Sequence, residues 1–403
     1  MKVAILGAGL QGCCVALELA ARGVDVDLYD KSSGCMMQTS SHNEGKIHLG
    51  YVYANDISRN TARTMLQGAL CFQSVLRRLL GNVIDTLSIS DPFYYVVHRE
   101  SLLSIEEVEA HLKESHAIAL ELNGELEPDY FGADFRQRPV RLSDEECAAL
   151  YDTRTVTAAY RTEEVSIDSE ALAAMVHERV VEEPKITFHG LTRILGVVRH
   201  DDGATVQYNR DGSADSLRYD HVVNTLWEGR LEIDETVGLS PSRPWLYRVK
   251  HYLRLQLPQT VMKIPSTTII LGAFGDAVHY KNGGLYLSWY PSGMLGSSSN
   301  ISPPEWPNQL TEEVAHSLKE STLRELIGIV PALKKLPVEV VQAAQVKGGV
   351  IFAWGTTDID DPHSGLHERY KIGPVSYGHY HSIDTGKLTM APLFGRMLAE
   401  QIL

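Results

Sequence analysis

The segment 40–56, SSHNEGKIHLGYVYAND, places two histidines, a lysine and a glutamate between glycines in a short stretch of chain. His42 or His48 could position a substrate or take a proton from its heteroatom, because imidazole exchanges protons near neutral pH. Lys46 could stabilise negative charge that develops on a reacting group. The alternative is structural, since buried histidines often only satisfy backbone groups. We take His48 and Lys46 as candidate catalytic residues.

The elements that must position this segment begin directly before it. Residues 2–31 contain an apolar strand, a GxGxxG turn, a helical pattern, a second strand and an acidic residue. Gly7 permits the tight turn, Gly9 lets the backbone approach a pyrophosphate, and Gly12 lets the helix pack against the strand. Asp30 can accept hydrogen bonds from ribose hydroxyls, which disfavours the 2′-phosphate of NADP. The pattern predicts a dinucleotide-binding βαβ unit.

The chain after Asp30 distinguishes FAD from NAD. An NAD domain usually continues with further βαβ units, but here an irregular loop at 31–53 leads into a long amphipathic helix. A helix, strand-like runs and Asp-Gly hairpin turns follow much later, at about 166–226. The C-terminal helical stripe at about 390–402 would close the same domain. This interrupted arrangement indicates a discontinuous Rossmann-like domain that binds FAD.

With these pieces assembled, the chain resembles the D-amino-acid-oxidase superfamily of FAD-dependent oxidoreductases. The likeness covers 2–31, 40–53, 166–225 and 372–403. The loop HNEGKIHLGYVY is most similar to that of L-2-hydroxyglutarate oxidases and dehydrogenases. The segment TGKLTMAPLFGRMLAE is similar to the flavin-contacting end of the whole superfamily.

The resemblance implies hydride removal from a carbon that bears an amine or a hydroxyl, with oxygen or another acceptor taking the electrons. Lys46 would then stabilise negative charge on the flavin or on oxygen. His381, shortly before the flavin-contacting segment, is a further catalytic candidate. The cofactor contacts expected from the motif and the resemblance are Gly7, Gly9, Leu10, Gln11, Gly12, Asp30, Lys31, Ser40, Ser41, His42, Asn43, Thr225, Trp227, Gly386, Lys387, Leu388 and Thr389.

The remaining segments predict an antiparallel-sheet substrate domain, and the whole chain is expected to have an α/β fold. We assign 1–80, 158–229 and 338–403 to the FAD-binding domain, and 81–157 and 230–337 to the substrate domain. The Ser- and Pro-rich segment GSSSNISPPEWPNQ precedes a predicted helix. It is either a lid or a simple connection.

Substrate contacts are expected from one strand of this second domain. In LYRVKHYLRLQLP, Arg248, Lys250 and Arg254 alternate onto one face, where they could hold a carboxylate or phosphate. A solvated outer face of the sheet explains the same pattern. Tyr252 and Tyr290 could pack against the substrate or belong to the core.

Composition limits the other possibilities. The 403 residues carry a net charge of −14, which disfavours nucleic acid or an anionic membrane as the partner. We find no apolar run of about 18 residues and no signal peptide, so we expect a cytoplasmic protein without a membrane span. The five cysteines lack CxxC spacing, and we expect no metal.

These observations predict an FAD-dependent oxidase or dehydrogenase that acts at a CH–NH or CH–OH centre. The substrate would be a small polar molecule, either an amino acid, an amine or a 2-hydroxy acid. Two alternatives stay open, an NAD-dependent dehydrogenase and a non-catalytic flavin-binding protein.

Overall fold

A computed structural model describes residues 1–123, 129–258, 263–307 and 309–403. Within these ranges the strands are β1 Lys2–Leu6, β2 Asp25–Tyr29, β3 Lys46–Ile47, β4 Tyr94–His98, β5 Val140–Arg141, β6 Val156–Arg161, β7 Val165–Ser166, β8 Ile186–His189, β9 Thr192–His200, β10 Gly203–Arg210, β11 Ser213–Tyr219, β12 His221–Asn224, β13 Trp245–Gln256, β14 Thr267–Ile270, β15 Gly275–His279, β16 Gly284–Trp289, β17 Met294–Ser298, β18 Gln345–Trp354, β19 Gly373–Tyr377 and β20 Tyr380–Asp384.

The helices in the same ranges are α1 Leu10–Ala20, α2 Asn60–Leu80, α3 Ile105–Asn123, α4 Asp144–Leu150, α5 Ser169–Glu182, α6 Arg230–Thr236, α7 Tyr290–Gly293, α8 Glu312–Ile327, α9 Val338–Gln342 and α10 Ala391–Ile402. None of these described helices combines the length and the apolar composition that crossing a bilayer requires.

The first sheet has the strand order β19–β20–β12–β1–β2–β8 and is parallel except at its β19 edge. Its centre is mostly apolar: Ile5 pairs with Leu28 on one side and with Val223 on the other, and the buried Asp27 of β2 is an exception. Such continuous apolar strands are typical of a parallel sheet that is covered on both faces. The predicted α/β fold with a discontinuous Rossmann-like domain is confirmed.

Helices α1 and α10 come from opposite ends of the sequence and pack together. A Cβ atom at Gly395 would lie 2.8 Å from the Cβ of Cys14, so the helices approach closely only because residue 395 is glycine. The predicted hairpins are also present, since β9, β10 and β11 form an antiparallel sheet that turns at 201–203 and 211–212. Asp211 and Gly212 both have positive φ, as a tight hairpin turn requires.

The second sheet has the order β17–β13–β16–β15–β14–β4–β6–β5, with β18 also paired to β13. Its strands are antiparallel except for the β14–β4 pair. Leu253 and Leu255 of β13 pack into an apolar cluster that includes Leu318 and Leu326 of α8. Because neighbouring residues in a strand point to opposite faces, Arg248 and Lys250 face the other side.

Sheet membership corrects the expected boundaries at two places. Strand β18 lies in the segment assigned to the FAD-binding domain, but it pairs along the length of β13 in the second sheet. Helix α6 lies in the segment assigned to the substrate domain, but its Ile233 packs with Ala4 and Leu6 of the first sheet. Strand pairing across about a hundred residues decides the position of β18, and packing against the distant strand β1 decides that of α6. Local sequence patterns reveal neither contact.

Candidate active site

A cavity of about 1000 Å³ lies between the two large sheets. Its wall contains Gly7, Gly9 and Asp30 from the first sheet and its turns, and Arg248 and Tyr286 from the second sheet. Ligand pockets commonly have volumes of about 300–1,000 Å³. This cavity is therefore large enough for a dinucleotide together with a small substrate.

The glycine turn at the start of α1 has no room for side chains. A Cβ at Gly12 would lie 1.9 Å from the carbonyl oxygen of Gly7, and one at Gly7, where φ is +97°, would lie 2.8 Å from the carbonyl oxygen of Thr225. The Leu10 N–H donates to Ser40 Oγ at 3.0 Å. The first amides of α1 thus face the cavity beside Ser40, which is the arrangement that binds a pyrophosphate.

Asp30 stands at the end of β2 as the sequence predicts. Its carboxylate accepts hydrogen bonds from the Ala8 and Ser32 N–H groups, each at 2.7 Å. These bonds hold the carboxylate in place on the cavity wall, where its remaining lone pairs can accept ribose hydroxyls. Lys31 pairs with Glu228 at 2.9 Å on the same wall.

The segment that leads into α10 forms another part of the wall through Gly386, Lys387 and Leu388, together with Ala391, the first residue of the helix. Gln11 ties it to α1, because its Nε2 donates to the Ala391 carbonyl at 3.2 Å. The N-termini of both helices therefore meet at one cavity. A helix N-terminus carries partial positive charge, which suits phosphate and the polar edge of a flavin.

The family follows from a comparison with known proteins. A family model described as FAD dependent oxidoreductase, DAO, matches residues 2–401. The chain belongs to this family. Its cofactor is therefore FAD, and the glycine cradle, Asp30 and the two helix N-termini fit that group.

Individual relatives support the fold more than the substrate. A D-amino acid dehydrogenase of Rhizobium rhizogenes is 45% identical over 51 residues, which are 13% of this chain and 12% of that protein. Glycine oxidase from Geobacillus kaustophilus has a TM-score of 0.68 at 15% identity, covering 99% of this chain and 94% of that chain. NikD, an amino acid oxidase of nikkomycin biosynthesis, has a TM-score of 0.69 at 13% identity, covering 99% of this chain and 92% of that chain.

A group of cations lines the cavity near α10 in this DAO-family protein. Lys250, Arg369 and Lys387 all belong to the wall. In the part of the chain that the structure describes, none of the three has an ion pair with a carboxylate. Burial and the charge of Arg369 lower the pKa of Lys387 to about 8. Burial and the charge of Arg248 likewise lower the pKa of Arg369.

Lys46 differs from these cations because its charge is compensated. Its Nζ donates to Asp276 at 2.7 Å and also to Thr268, and it lies 4.5 Å from the centre of the Phe93 ring. Burial disfavours the ammonium ion, but Asp276 and Glu164 more than offset this, so the pKa of Lys46 is raised. Lys46 is on the cavity wall as predicted, with its charge committed to Asp276.

His48 also lies on the cavity wall, in a setting that opposes a positive charge. Its Nδ1 is buried without a hydrogen-bond partner in the described structure, and its backbone N–H donates to Thr389 Oγ1 at 3.2 Å. Burial, together with the charges of Lys387 and Lys46, holds the pKa of His48 well below its usual range. The imidazole is therefore neutral and a weak proton acceptor.

Arg248 and Tyr290, both predicted to contact substrate, form a linked pair on the wall. Arg248 is almost completely buried, and its Nη1 donates to Tyr290 Oη and to Asp358 Oδ1. Tyr290 in turn donates to the same Asp358 oxygen at 2.9 Å. The alternative of a solvated outer face does not apply to this side of β13, since Lys250 and Tyr252 also line the cavity.

Other predicted residues do not reach the wall directly. Ser41 donates to the Gln38 carbonyl, and Thr389 Oγ1 donates to the Lys46 carbonyl, so these two residues support the loop from behind. Gly12 lies behind Gly7 and is likewise not part of the wall among the described residues. The predicted contacts that do line the cavity are Gly7, Gly9, Leu10, Gln11, Asp30, Lys31, Ser40, His42, Asn43, Thr225, Trp227, Gly386, Lys387 and Leu388.

His381 is a correction to the catalytic candidates. It lies in β20, with its Nε2 3.0 Å from Nδ1 of His221 and its Nδ1 2.6 Å from Ser376 Oγ. It does not belong to the cavity wall among the described residues. Burial and His221 lower the pKa of His381 to about 4, so this histidine is a neutral part of the sheet.

Two residues at or next to the cavity were not identified by the sequence analysis. Arg369 lies in the irregular segment after β18, where no motif marks it. Glu164 is completely buried next to the loop, accepting the Leu49 N–H at 2.6 Å and the hydroxyl of Tyr95. Burial raises its pKa to about 7, against the opposing effect of Lys46. Glu164 lies just ahead of the β7 strand that pairs with β3, the strand containing Lys46, but the sequence gives no sign of that pairing.

Proposed function

We propose that this protein oxidises the CH–NH bond of a small amino acid, or a related amine with an anionic group, and passes the electrons to oxygen or another acceptor. The observation that carries this proposal is a set of half-buried cations on the cavity wall, Lys250, Arg369 and Lys387, none of which has an ion pair with a carboxylate of the described residues. Glu44 interacts with Lys387 and Lys250 only through longer-range electrostatics. A partly desolvated charge without an ionic partner is unfavourable, and a bound carboxylate would compensate it.

The electrostatics of His48 favour an amine over an alcohol. FAD, when bound, accepts a hydride from the substrate carbon. An amine that binds in its neutral form needs no protein base, whereas an alcohol must lose its proton to one. Protonated His48 would repel Lys387, Lys46 and Arg369, which makes it a poor base. We therefore favour an amino acid over a 2-hydroxy acid.

The remaining wall suits an apolar part of a substrate. Tyr252 and Tyr286 stack with their ring centres 4.4 Å apart, and both line the cavity together with Phe274. The proposed role of the chain is to hold the substrate carboxylate with the cations and to pack its side chain against these rings. That placement orients the C–H bond and excludes water.

Matched substrates test this proposal. For one side chain, the amino acid in both stereoisomers, its decarboxylated amine and its 2-hydroxy analogue are each mixed with the FAD-loaded protein without oxygen. We expect one amino acid stereoisomer to bleach the flavin. The decarboxylated amine should react about 100-fold less efficiently, because it lacks the charged hydrogen-bond partner of the cations. Equal reactivity of the amine would refute the anionic requirement, and faster bleaching by the hydroxy acid would refute the amine assignment.

A variant of Arg369 separates charge from packing. Arg369→Lys keeps the positive charge and Arg369→Met removes it. We expect KM for the amino acid to rise strongly only in Arg369→Met, while KM for the decarboxylated amine changes little in either variant. Equal effects on both substrates would show that Arg369 acts on the fold and not on the carboxylate.

A further inference from the structure

The Ser- and Pro-rich segment after β17 reaches the FAD cavity. Strand β17 ends at Ser298 in the second sheet, and the chain then runs along the cavity, where residues 303–306 belong to the wall. They share this wall with Gly7 and Asp30 of the dinucleotide cradle. The segment is therefore more than a connection between β17 and α8.

Contacts place residues 303–306 beside the ribose-binding acid. The Thr192 N–H donates to the Asp30 carbonyl at 2.8 Å, which fixes 192–194 next to Asp30. Arg193 Nη1 lies 3.8 Å from Glu305 Oε1, and both residues line the cavity. Both side chains are largely exposed, so this ion pair stabilises the fold little. It does show that residue 305 lies close to residue 193. The part of FAD next to Asp30 is the adenosine.

Trp306 packs residues 303–306 against the protein interior. It packs in an apolar cluster with Tyr247, Phe352 and Trp227. A Cβ at Gly296 would lie 2.6 Å from the indole nitrogen, so the glycine leaves room for this ring. Trp306 and Trp227 both line the cavity. Nucleobases stack on such aromatic side chains.

We propose that residues 303–306 form a strap that closes the adenosine part of the FAD cleft, and that Trp306 contacts the adenine. The strap comes from the substrate-side sheet, so it joins the two sheets across the cofactor. Its expected effect is retention of FAD and preference for FAD over FMN, which lacks the adenosine. This inference rests on the cofactor and is independent of the substrate proposed above.

Titration of the full-length apoprotein with FAD and with FMN tests the strap. With Trp306→Ala, the Kd for FAD should rise about tenfold or more, as for loss of one stacked base, while the Kd for FMN stays the same. Flavin fluorescence reports both. Trp245→Ala is the matched control, because Trp245 packs in the same cluster but does not line the cavity in the described structure. This control should keep its FAD affinity.

Three results would overturn the proposal. These are unchanged FAD affinity in Trp306→Ala, an equal loss of FAD and FMN affinity, or an equal loss of FAD affinity in Trp245→Ala. If Trp306→Ala does not fold, hydrogen exchange on the unaltered protein decides the question. FAD, but not FMN, should slow exchange of the Ser302, Glu305 and Trp306 amides, and equal protection by both flavins would contradict the strap.

Discussion

Replacement of Lys387 by methionine separates the proposed substrate-binding charge from the fold. Lys387 lies on the cavity wall next to the start of α10, and no carboxylate in the described ranges pairs with it. Methionine has a similar length and no charge. The substitution should therefore weaken binding of an anion while leaving the shape of the wall nearly intact.

The size of the effect follows from the depressed pKa. An ordinary lysine titrates at 10.5 and Lys387 at about 8. This difference corresponds to about 3 kcal/mol of free energy that disfavours the charged ammonium in the folded apoprotein. Between pH 8 and 10.5 the folded state binds fewer protons than the unfolded state, so stability rises with pH in that window. At pH 7, Lys387→Met should therefore raise the melting temperature and the free energy of urea unfolding of the apoprotein.

Lys387→Met should stabilise the apoprotein but weaken the binding of a carboxylate ligand. Acetate and propionate carry a carboxylate but no amine, so only the protein titrates near pH 8. Their affinity for the FAD-loaded protein should be constant below pH 8 and fall about tenfold per pH unit above it. In Lys387→Met the affinity at pH 7 should be about 10- to 100-fold lower, because a charge-assisted hydrogen bond is lost, and independent of pH.

The flavin absorbance change on carboxylate binding provides the assay. Lys281→Met, which removes an exposed lysine, is the control and should behave like the unaltered protein. The reasoning is refuted if affinity does not change between pH 7 and 9, or if Lys387→Met keeps the same pH dependence.

Further substitutions probe other parts of the site. Gly12→Val should destabilise the cradle by about 1–3 kcal/mol through overpacking and weaken FAD binding in fluorescence titration; normal FAD affinity would contradict the tight turn. Asp276→Asn leaves Lys46 without its carboxylate partner and should lower the free energy of urea unfolding by about 3 kcal/mol, part of which Lys46→Met should restore in the double variant. Because burial raises the pKa of Glu164 to about 7, its ionisation destabilises the folded protein as pH rises from 4.5 through 7. The melting temperature of Glu164→Gln minus that of the unaltered protein should therefore be larger at pH 8 than at pH 5.5. His48→Asn should slow anaerobic flavin reduction by less than about tenfold, whereas loss of a general base costs about 10²–10⁴-fold.

The cofactor side of the site could be predicted because its determinants are local. Gly7, Gly12 and Asp30 lie within one βαβ unit. Steric limits on the turn require glycine at positions 7 and 12, and the hydrogen bonds of the carboxylate explain the acid at position 30. The α10 segment is distant in sequence, but its own pattern and its resemblance to known flavoproteins identified it. Parallel-sheet geometry then brings both helix N-termini to one cavity.

The substrate side could be predicted only in part. The alternation of β13 correctly grouped Arg248 with Lys250, but it did not decide which face is buried. Asp276 reaches the cavity through the pairing of β15 within the second sheet, and Arg369 reaches it from the irregular segment after β18. No local motif reveals either placement. His381 is a candidate because it is close in sequence to Gly386. Since β20 is buried on both faces, sequence periodicity does not show which way the His381 side chain points.

Anaerobic addition of pooled amino acids, and separately of pooled 2-hydroxy acids, to the FAD-loaded protein tests the central claim most directly. Our account predicts that the protein binds FAD and that its visible flavin absorption is bleached by the amino acid pool. Failure of the purified protein to bind FAD, or bleaching by the 2-hydroxy acids alone, would contradict it.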